Sequence, residues 1–242
     1  MTWSIIARDD AGRFGIAIAS CFLAVGALCA HTRRGVGAVA TQALVNPLYG
    51  PEGLRRLVAG EAPDDVVSAL IGADAGREQR QVHVLGAAGP GAAHTGSECI
   101  DWCGHRLLDG FSVAGNMLAG PAVVEASAQA FLDGAGRPLA ERLLAALAAG
   151  DAAGGDKRGK QAAALRIHAG QDHLELDLRV DDHAEPVTEL QRLYAKSFER
   201  FQPFVACLAG RHDPVGIIDR QEIDARIERF HAERGQATGA SA

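Results

Sequence analysis

The residue types best suited to chemistry stand at the start of this chain. Thr2 follows Met1, and methionine aminopeptidase removes an initiator methionine when the next residue is small. A chain processed in that way begins with Thr2, which then carries a hydroxyl nucleophile and a free α-amine on one residue. An α-amine with a pKa of about 7.7 to 8.0 is partly neutral near pH 7 and takes up the hydroxyl proton, so nucleophile and base come together. That pair attacks carbonyl carbon. Threonine in second position is also common in chains without any such activity, so the residue type alone carries little information.

Other candidates must be brought to Thr2 by the fold. Ser4 shares a face with Thr2 if the segment is a strand, either as hydrogen-bonding support or as an ordinary buried hydroxyl. Ser20 ends a second β-rich run and neighbours Thr2 if the two runs form a hairpin, which makes it a substrate-binding candidate. Asn46 and Asn116 offer amides for a developing oxyanion, where one good donor is worth about 2.7 to 4 kcal/mol in the transition state. Asn116, in Gly115-Asn116-Met117, reads equally as a helix N-cap, and the preference of Asn for helix starts favours that reading. Gly154-Gly155-Asp156-Lys157-Arg158-Gly159 is either a solvated loop or a backbone nest for an anionic or carbonyl group, with Asp156 orienting an amine or a base. Its spacing matches no nucleotide fingerprint. Tyr49, Arg158 and Gln161 complete the substrate-binding candidates.

Cys99, Cys103 and His105, with Asp101 close by, are zinc-ligand residue types, but no second cysteine pair stands at the matching spacing. No metal and no cofactor is assigned. Asp181-Asp182-His183, shortly before Pro186, reads as a cap at a helix start more readily than as a ligand set. Five cysteines are an odd number without a framework spacing, which suits reduced thiols in the cytoplasm. The 24 Lys and Arg against 30 Asp and Glu leave a net charge of -6, with no basic block to follow a phosphate backbone, so nucleic acid is not an expected partner. No segment stays apolar for the ~20 residues a bilayer demands, and the first residues lack a basic stretch followed by an apolar one. A cytoplasmic protein acting on a small molecule, and reasonable as a homo-oligomer, is expected.

Elements able to position these residues follow from periodicity. Thr2 to Arg8 and Arg13 to Ser20 flank the turn cluster Asp9-Asp10-Ala11-Gly12, as in a hairpin. Gly35 to Ala43 is a run of small apolar residues suited to a strand covered on both faces, joined to the second strand by a connection around His31-Thr32-Arg33-Arg34. Helices are predicted from Pro51 to Gly60 and from Pro63 to Ile71, then strands at Gln81 to Leu85 and Ala92 to Thr95. Leu118 to Leu132 and Pro138 to Leu147 form a second helix pair, Ala162 to His168 and His173 to Val180 a second hairpin, and Pro186 to Phe201 an amphipathic helix. Ile223 to Phe230 is charged and helical in pattern, and residues 235–239 are expected to be disordered. With 48% hydrophobic residues the chain suffices for one large core or two small ones. One domain over residues 1–210 with a C-terminal tail over 211–242 is expected. Strands joined mostly by hairpins, with helices inserted in pairs, predict an α+β sandwich of two antiparallel sheets stacked face to face with helices on both outer sides; one helical layer is the alternative.

Several motifs in order carry a family resemblance: Thr2-Trp3-Ser4-Ile5-Ile6-Ala7-Arg8-Asp9, Ala38-Val39-Ala40-Thr41-Gln42-Ala43, Asn46-Pro47-Leu48-Tyr49-Gly50-Pro51, Gly115-Asn116-Met117-Leu118-Ala119-Gly120, Gly155-Asp156-Lys157-Arg158-Gly159-Lys160-Gln161 and Asp177-Leu178-Arg179-Val180-Asp181-Asp182-His183. From Met1 to about Phe201 the chain resembles the family catalogued as domain of unknown function 1028, which is grouped with the N-terminal-nucleophile hydrolases. The resemblance implies the four-layer αββα sandwich of that superfamily and an amidohydrolase activity, with Thr2 matching the nucleophile. Proteasome-like enzymes keep a Lys near the nucleophile on the third strand; here Arg33 and Arg34 precede that run and it contains no Lys. The expected activity is hydrolysis of a C–N bond in a small amide or ureide, the alternative a non-catalytic ligand-binding or scaffold protein on the same fold, and a metal-dependent hydrolase using Cys99, Cys103, His105 or His183 ranks last.

Overall fold

The computed structural model of the chain describes residues 2–239. Met1, whose removal the Thr2 chemistry requires, and residues 240–242 of the tail lie outside the described residues. Strands β1 (Thr2–Arg8) and β2 (Phe14–Ser20) form the predicted hairpin, with Thr2 opposite Ser20 and Arg8 opposite Phe14. Its turn closes because the Asp9 carboxylate accepts the N–H groups of Ala11 and Arg13 while Gly12 adopts a φ of +73°, a region a residue without Cβ enters freely.

Helix α1 (Val25–Cys29) and strand β3 (Ala30–Arg33) follow, then β4 (Gly37–Ala43), α2 (Tyr49–Val58), α3 (Pro63–Gly72), β5 (Arg80–Gly86) and β6 (Ala92–Thr95). The hairpin β7 (Trp102–Leu108) and β8 (Phe111–Leu118) leads to α4 (Ala122–Asp133) and α5 (Leu139–Ala152). Strands β9 (Ala162–His168) and β10 (Leu176–Val180) precede α6 (Pro186–Ser197), α7 (Phe201–Val205) and α8 (Arg220–Gly239). The strands make two antiparallel sheets, β10-β9-β2-β1-β8-β7 and β3-β4-β5-β6.

Three apolar clusters show how the pieces stack. Trp3, Ile5 and Ala7 of β1 pack with α4, α5 and α6 on one side of the six-stranded sheet. Ile6, Ile16 and Ile18 point the other way and meet Ala38, Ala40 and Leu85 of the four-stranded sheet. Val39, Val82 and Val84 on the far side of that sheet pack with α2 and α3. The period-2 alternation of each strand therefore feeds two different cores, and helices cover both outer faces, against the single helical layer of the alternative.

Several sequence expectations need correction. The connection around His31 is strand β3, which the run Ala-His-Thr-Arg does not announce. Residues 102–108 form an edge strand whose mixed, half-exposed side chains lack a clear alternation. The helix predicted from Leu118 starts only at Ala122, because Leu118 closes β8 and pairs with Asp156. Helix α8 includes residues 235–239, and it is anchored on α6 and its following turn: Phe230 stacks on Phe198, the Arg234 guanidinium lies 3.7 Å from the centre of that ring, and His231 bonds the Glu199 carbonyl.

Candidate active site

Thr2 lies at the end of β1, between Ser20 on β2 and Asn116 on β8 in the strand register. The anchor is its neighbour: Trp3 is 1% exposed in the helix-facing core and its indole N–H donates to the Leu147 carbonyl of α5. Thr2 is thereby turned to the inter-sheet face, where it is 5% exposed and its hydroxyl donates to Ser20 Oγ at 3.1 Å.

Behind it, the space between the sheets carries a polar network. Gln81 Nε2 reaches the Gly104 and Gly115 carbonyls at 3.0 and 2.9 Å. Carbonyls only accept, so the amide nitrogen is fixed there and Gln81 Oε1 faces Gln42 and Asn116, each of which donates from its NH2 group at 2.7 and 3.0 Å. Gln42 Oε1 then accepts from Ser4 Oγ at 2.7 Å. Ser4 has one proton, so His83 Nε2 must donate to it across 2.9 Å, leaving His83 Nδ1 to accept from Ser112 across 3.0 Å. That assignment needs a neutral imidazole, and complete burial, with the His105 charge second, pushes the His83 pKa down to about 3.

The chain of orientations ends on Asn116. One amide N–H is taken by Gln81, and the buried Oδ1 has no hydrogen-bond partner among the described residues. Asn116 sits within β8 and pairs with Thr2, so it is not the N-cap that its residue type suggested. The unmatched atom is an acceptor, whereas the oxyanion role expected for this residue needs a donor.

Thr2, Gln42 and Asn116 form the polar floor of a cleft of about 590 Å³ whose walls include Phe22, Val25, Leu44, Val45, Ile100 and Met117, with Arg158 and Glu98 as its charged residues. Among the described residues the four non-glycine positions with positive φ, Ala24, Ala43, Asp101 and Met117, line the cleft or adjoin lining residues. Left-handed backbone costs roughly 1 to 2 kcal/mol per residue, and its concentration at one place is the pattern of a functional site. The burial of Cys29, another wall residue, pushes its thiol up to about 12, which leaves it protonated and unreactive.

Asp156 reaches the same region through Gly154 and Gly155, at φ +112° and +48°. A Cβ on Gly155 would also meet the Trp3 ring at 3.2 Å. The carboxylate accepts the N–H groups of Cys21 at 3.1 Å and Arg158 at 2.8 Å, and the Arg158 guanidinium stands 3.8 Å away. Asp156 thus fixes the loop beside Ser20 rather than presenting itself to the cleft.

Thr2, Ser20, Asn116, Asp156 and Arg158 are brought together. Ser4 is 0% exposed, one layer behind Thr2, and its hydrogen-bond chain runs through Gln42 and Gln81 to Asn116, the strand neighbour of Thr2. Gln161 holds a backbone position, its N–H on the Ser20 carbonyl and its side chain on Asp182. Asn46 and Tyr49 are not among the cleft residues; both donate to Asp74 Oδ2, at 3.0 and 2.8 Å, and with Arg80 hold that carboxyl well below the usual range. Gly50 beside them permits α2 to sit on the His31 ring, which a Cβ would meet at 2.1 Å. That motif builds the fold. Cys99 and Cys103 direct their sulfurs at backbone carbonyls and His105 meets Thr95; among the described residues no group of three or more His, Cys, Asp or Glu is placed to hold a metal ion. His183 Nδ1 accepts the Glu185 N–H in the turn before α6; the N-cap of that helix is Glu185 and no side chain caps it, so Asp181-Asp182-His183 shapes the turn rather than capping the helix. Gln42, Gln81 and His83 were missed because strand alternation does not say which face points inward.

Two stacked antiparallel sheets thus hold a hydroxyl-bearing strand end at the floor of a cleft. Residues 2–190 match the family of unknown function DUF1028, and the chain belongs to that family. The crystal structure of a protein from Silicibacter pomeroyi placed in the same family is 32% identical, with a TM-score of 0.82 over 90% of this chain and 99% of that one. Anbu, an ancestral beta-subunit from Yersinia bercovieri, is 11% identical, with a TM-score of 0.37 over 81% of this chain and 94% of that one, too distant to bear on function. No curated protein matches the chain. Among the described residues no helix is long and apolar enough to cross a membrane.

Proposed function

We propose that the protein is a hydrolase of C–N bonds in small amides or ureides, built on the four-layer αββα sandwich of the N-terminal-nucleophile hydrolases, with Thr2 as nucleophile once Met1 is removed. The observation that carries this reading is the position of Thr2: at a strand end held by Trp3, with its hydroxyl bonded to Ser20 and its side chain at a cleft. The Thr2 hydroxyl oxygen attacks the substrate carbonyl while its proton passes to the α-amine of the same residue. The C–N bond then breaks, the leaving nitrogen takes that proton, and water hydrolyses the Thr2 ester to the acid and the restored hydroxyl. Asn116, opposite Thr2 in the register, offers its unmatched Oδ1 to the α-amine and so favours one orientation of the base.

The alternative, a ligand-binding protein without turnover, draws on one observation: among the described residues no Lys or His lines the cleft, so the α-amine is the sole base of the scheme. Untagged wild type, Thr2→Ser and Thr2→Ala assayed against a panel of small amides and ureides separate the two. Hydrolysis that is retained in part by Thr2→Ser and lost in Thr2→Ala supports the enzyme. Hydrolysis that survives in Thr2→Ala overturns the role of Thr2.

A further inference from the structure

We infer that the cleft takes amides whose leaving part carries a carboxylate and whose acyl part is an apolar chain, that is, N-acyl amino acids; this rests on the proposed role of Thr2 for turnover but not for binding. Among the described residues Arg158 is the one cationic side chain that lines the cleft. Its guanidinium makes no hydrogen bond among the described residues and stands 3.8 Å from Asp156 Oδ2. Asp156 is itself satisfied by two backbone N–H groups and its side chain is 0% exposed, so it steers the Arg158 chain and leaves the N–H fork for another acceptor. A planar fork of donors on a half-exposed arginine matches a carboxylate through two parallel bonds.

The other walls supply the second half of the ligand. Phe22, Leu44 and Ile100 are 50%, 58% and 63% exposed, and all three line the cleft with Val25, Val45 and Met117. Large apolar side chains gathered at the mouth of one cleft are not the scattered singles of an ordinary surface, and they gain when an aliphatic chain covers them. Glu98, an acidic residue of the lining, is tied to the four-stranded side by Gln79 Nε2 at 2.9 Å and by its own N–H on the Glu78 carbonyl. Arg158 belongs to the side of the six-stranded sheet through the pairing of Asp156 with Leu118. The two charges thus sit on different walls, and the carboxylate is assigned to the Arg158 wall. A volume of about 590 Å³ is in the range of sites for such small molecules, ~300 to 1,000 Å³.

Three probes with one acyl chain test this: N-hexanoylglycine, N-hexanoylethanolamine and N-hexanoylethylenediamine, which end in a carboxylate, a hydroxyl and an ammonium. Their binding to Thr2→Ala is measured by calorimetry, and their turnover by processed wild type. The acid is expected to bind about ten- to a hundredfold more tightly than the neutral probe, with the preference reduced in Arg158→Lys, abolished in Arg158→Gln and narrowed by high salt. Equal binding of acid and neutral probe, a preference for the ammonium, or binding of none of the three overturns the inference. Tight binding of the acid without turnover by wild type keeps it and removes Thr2 as nucleophile, whereas turnover of the neutral probe without preference for the acid does the reverse.

Discussion

The space between the two sheets has two ends built from the same strands, and they differ in kind. Toward one end Ile6, Ile16, Ile18 and Leu85 fill it with apolar side chains, Ile18 and Ile6 lying at the boundary, opposite Ser4 and Ser112 in the register. At the other, the same faces of the same strands present Ser4, Ser20, Gln81 and His83, joined by Gln42, Ser112 and Asn116, all nearly or fully buried. The apolar end is stabilised by area and tolerates small changes of shape. The polar end has each amide turned one way by the Gly104 and Gly115 carbonyls, so a missing member leaves its partners unpaired in a dry interior. Folding requires only the first kind. The second adds desolvation cost and sits directly behind Thr2, which makes it the part of the molecule that serves the site.

The contrast is broken most severely at Gln81. Gln81→Leu keeps the volume but strands the donors of Gln42 and Asn116 and two backbone carbonyls, and is expected to lower unfolding stability in urea by about 3 to 5 kcal/mol. Acid comes next. The folded His83 pKa is about 3 against about 6.5 unfolded, so between those values the unfolded chain binds the extra proton and stability falls as pH falls. At pH 5 the loss relative to pH 7.5 is on the order of 2 kcal/mol, and His31 and His105, both shifted down mainly by burial, act in the same direction. Denaturation midpoints across that range should show a shallower slope for His83→Gln. Ile18→Val at the apolar end should cost only about 0.5 to 1.5 kcal/mol; a loss as large as that of Gln81→Leu would erase the distinction between the ends. A comparably small effect is expected at Tyr49→Phe, which removes one hydrogen bond to Asp74 and should cost about 1 kcal/mol with no change in binding at the Thr2 cleft, read by calorimetry with a cleft ligand.

The difference between the two ends also marks where the sequence stops being readable. The turn at Asp9 to Gly12 is enough to place Ser20 beside Thr2, and alternation is enough to put Ser4 on the same face. Gln81-Val82-His83-Val84 alternates as plainly, yet period 2 is symmetric: the polar members point to the other sheet and the valines to the helices, the reverse of a surface strand. Met117 and Ala43 take positive φ at the cleft with residue types that signal nothing of the kind. Asn46-Pro47-Leu48-Tyr49-Gly50 has the polar residues of a site, but its side chains are committed to Asp74, and only the tertiary contact of Gly50 with His31 reveals why.

In the proposed chemistry Thr2 becomes the terminal residue and acts as nucleophile, and the intact mass of untagged protein before and after exposure to an activated ester, p-nitrophenyl hexanoate, reads both. The expected result is a starting mass that lacks one methionine and, after reaction, a single hexanoyl adduct that maps to Thr2 and is absent from Thr2→Ala. Full retention of Met1, or an adduct formed equally by Thr2→Ala, would contradict it.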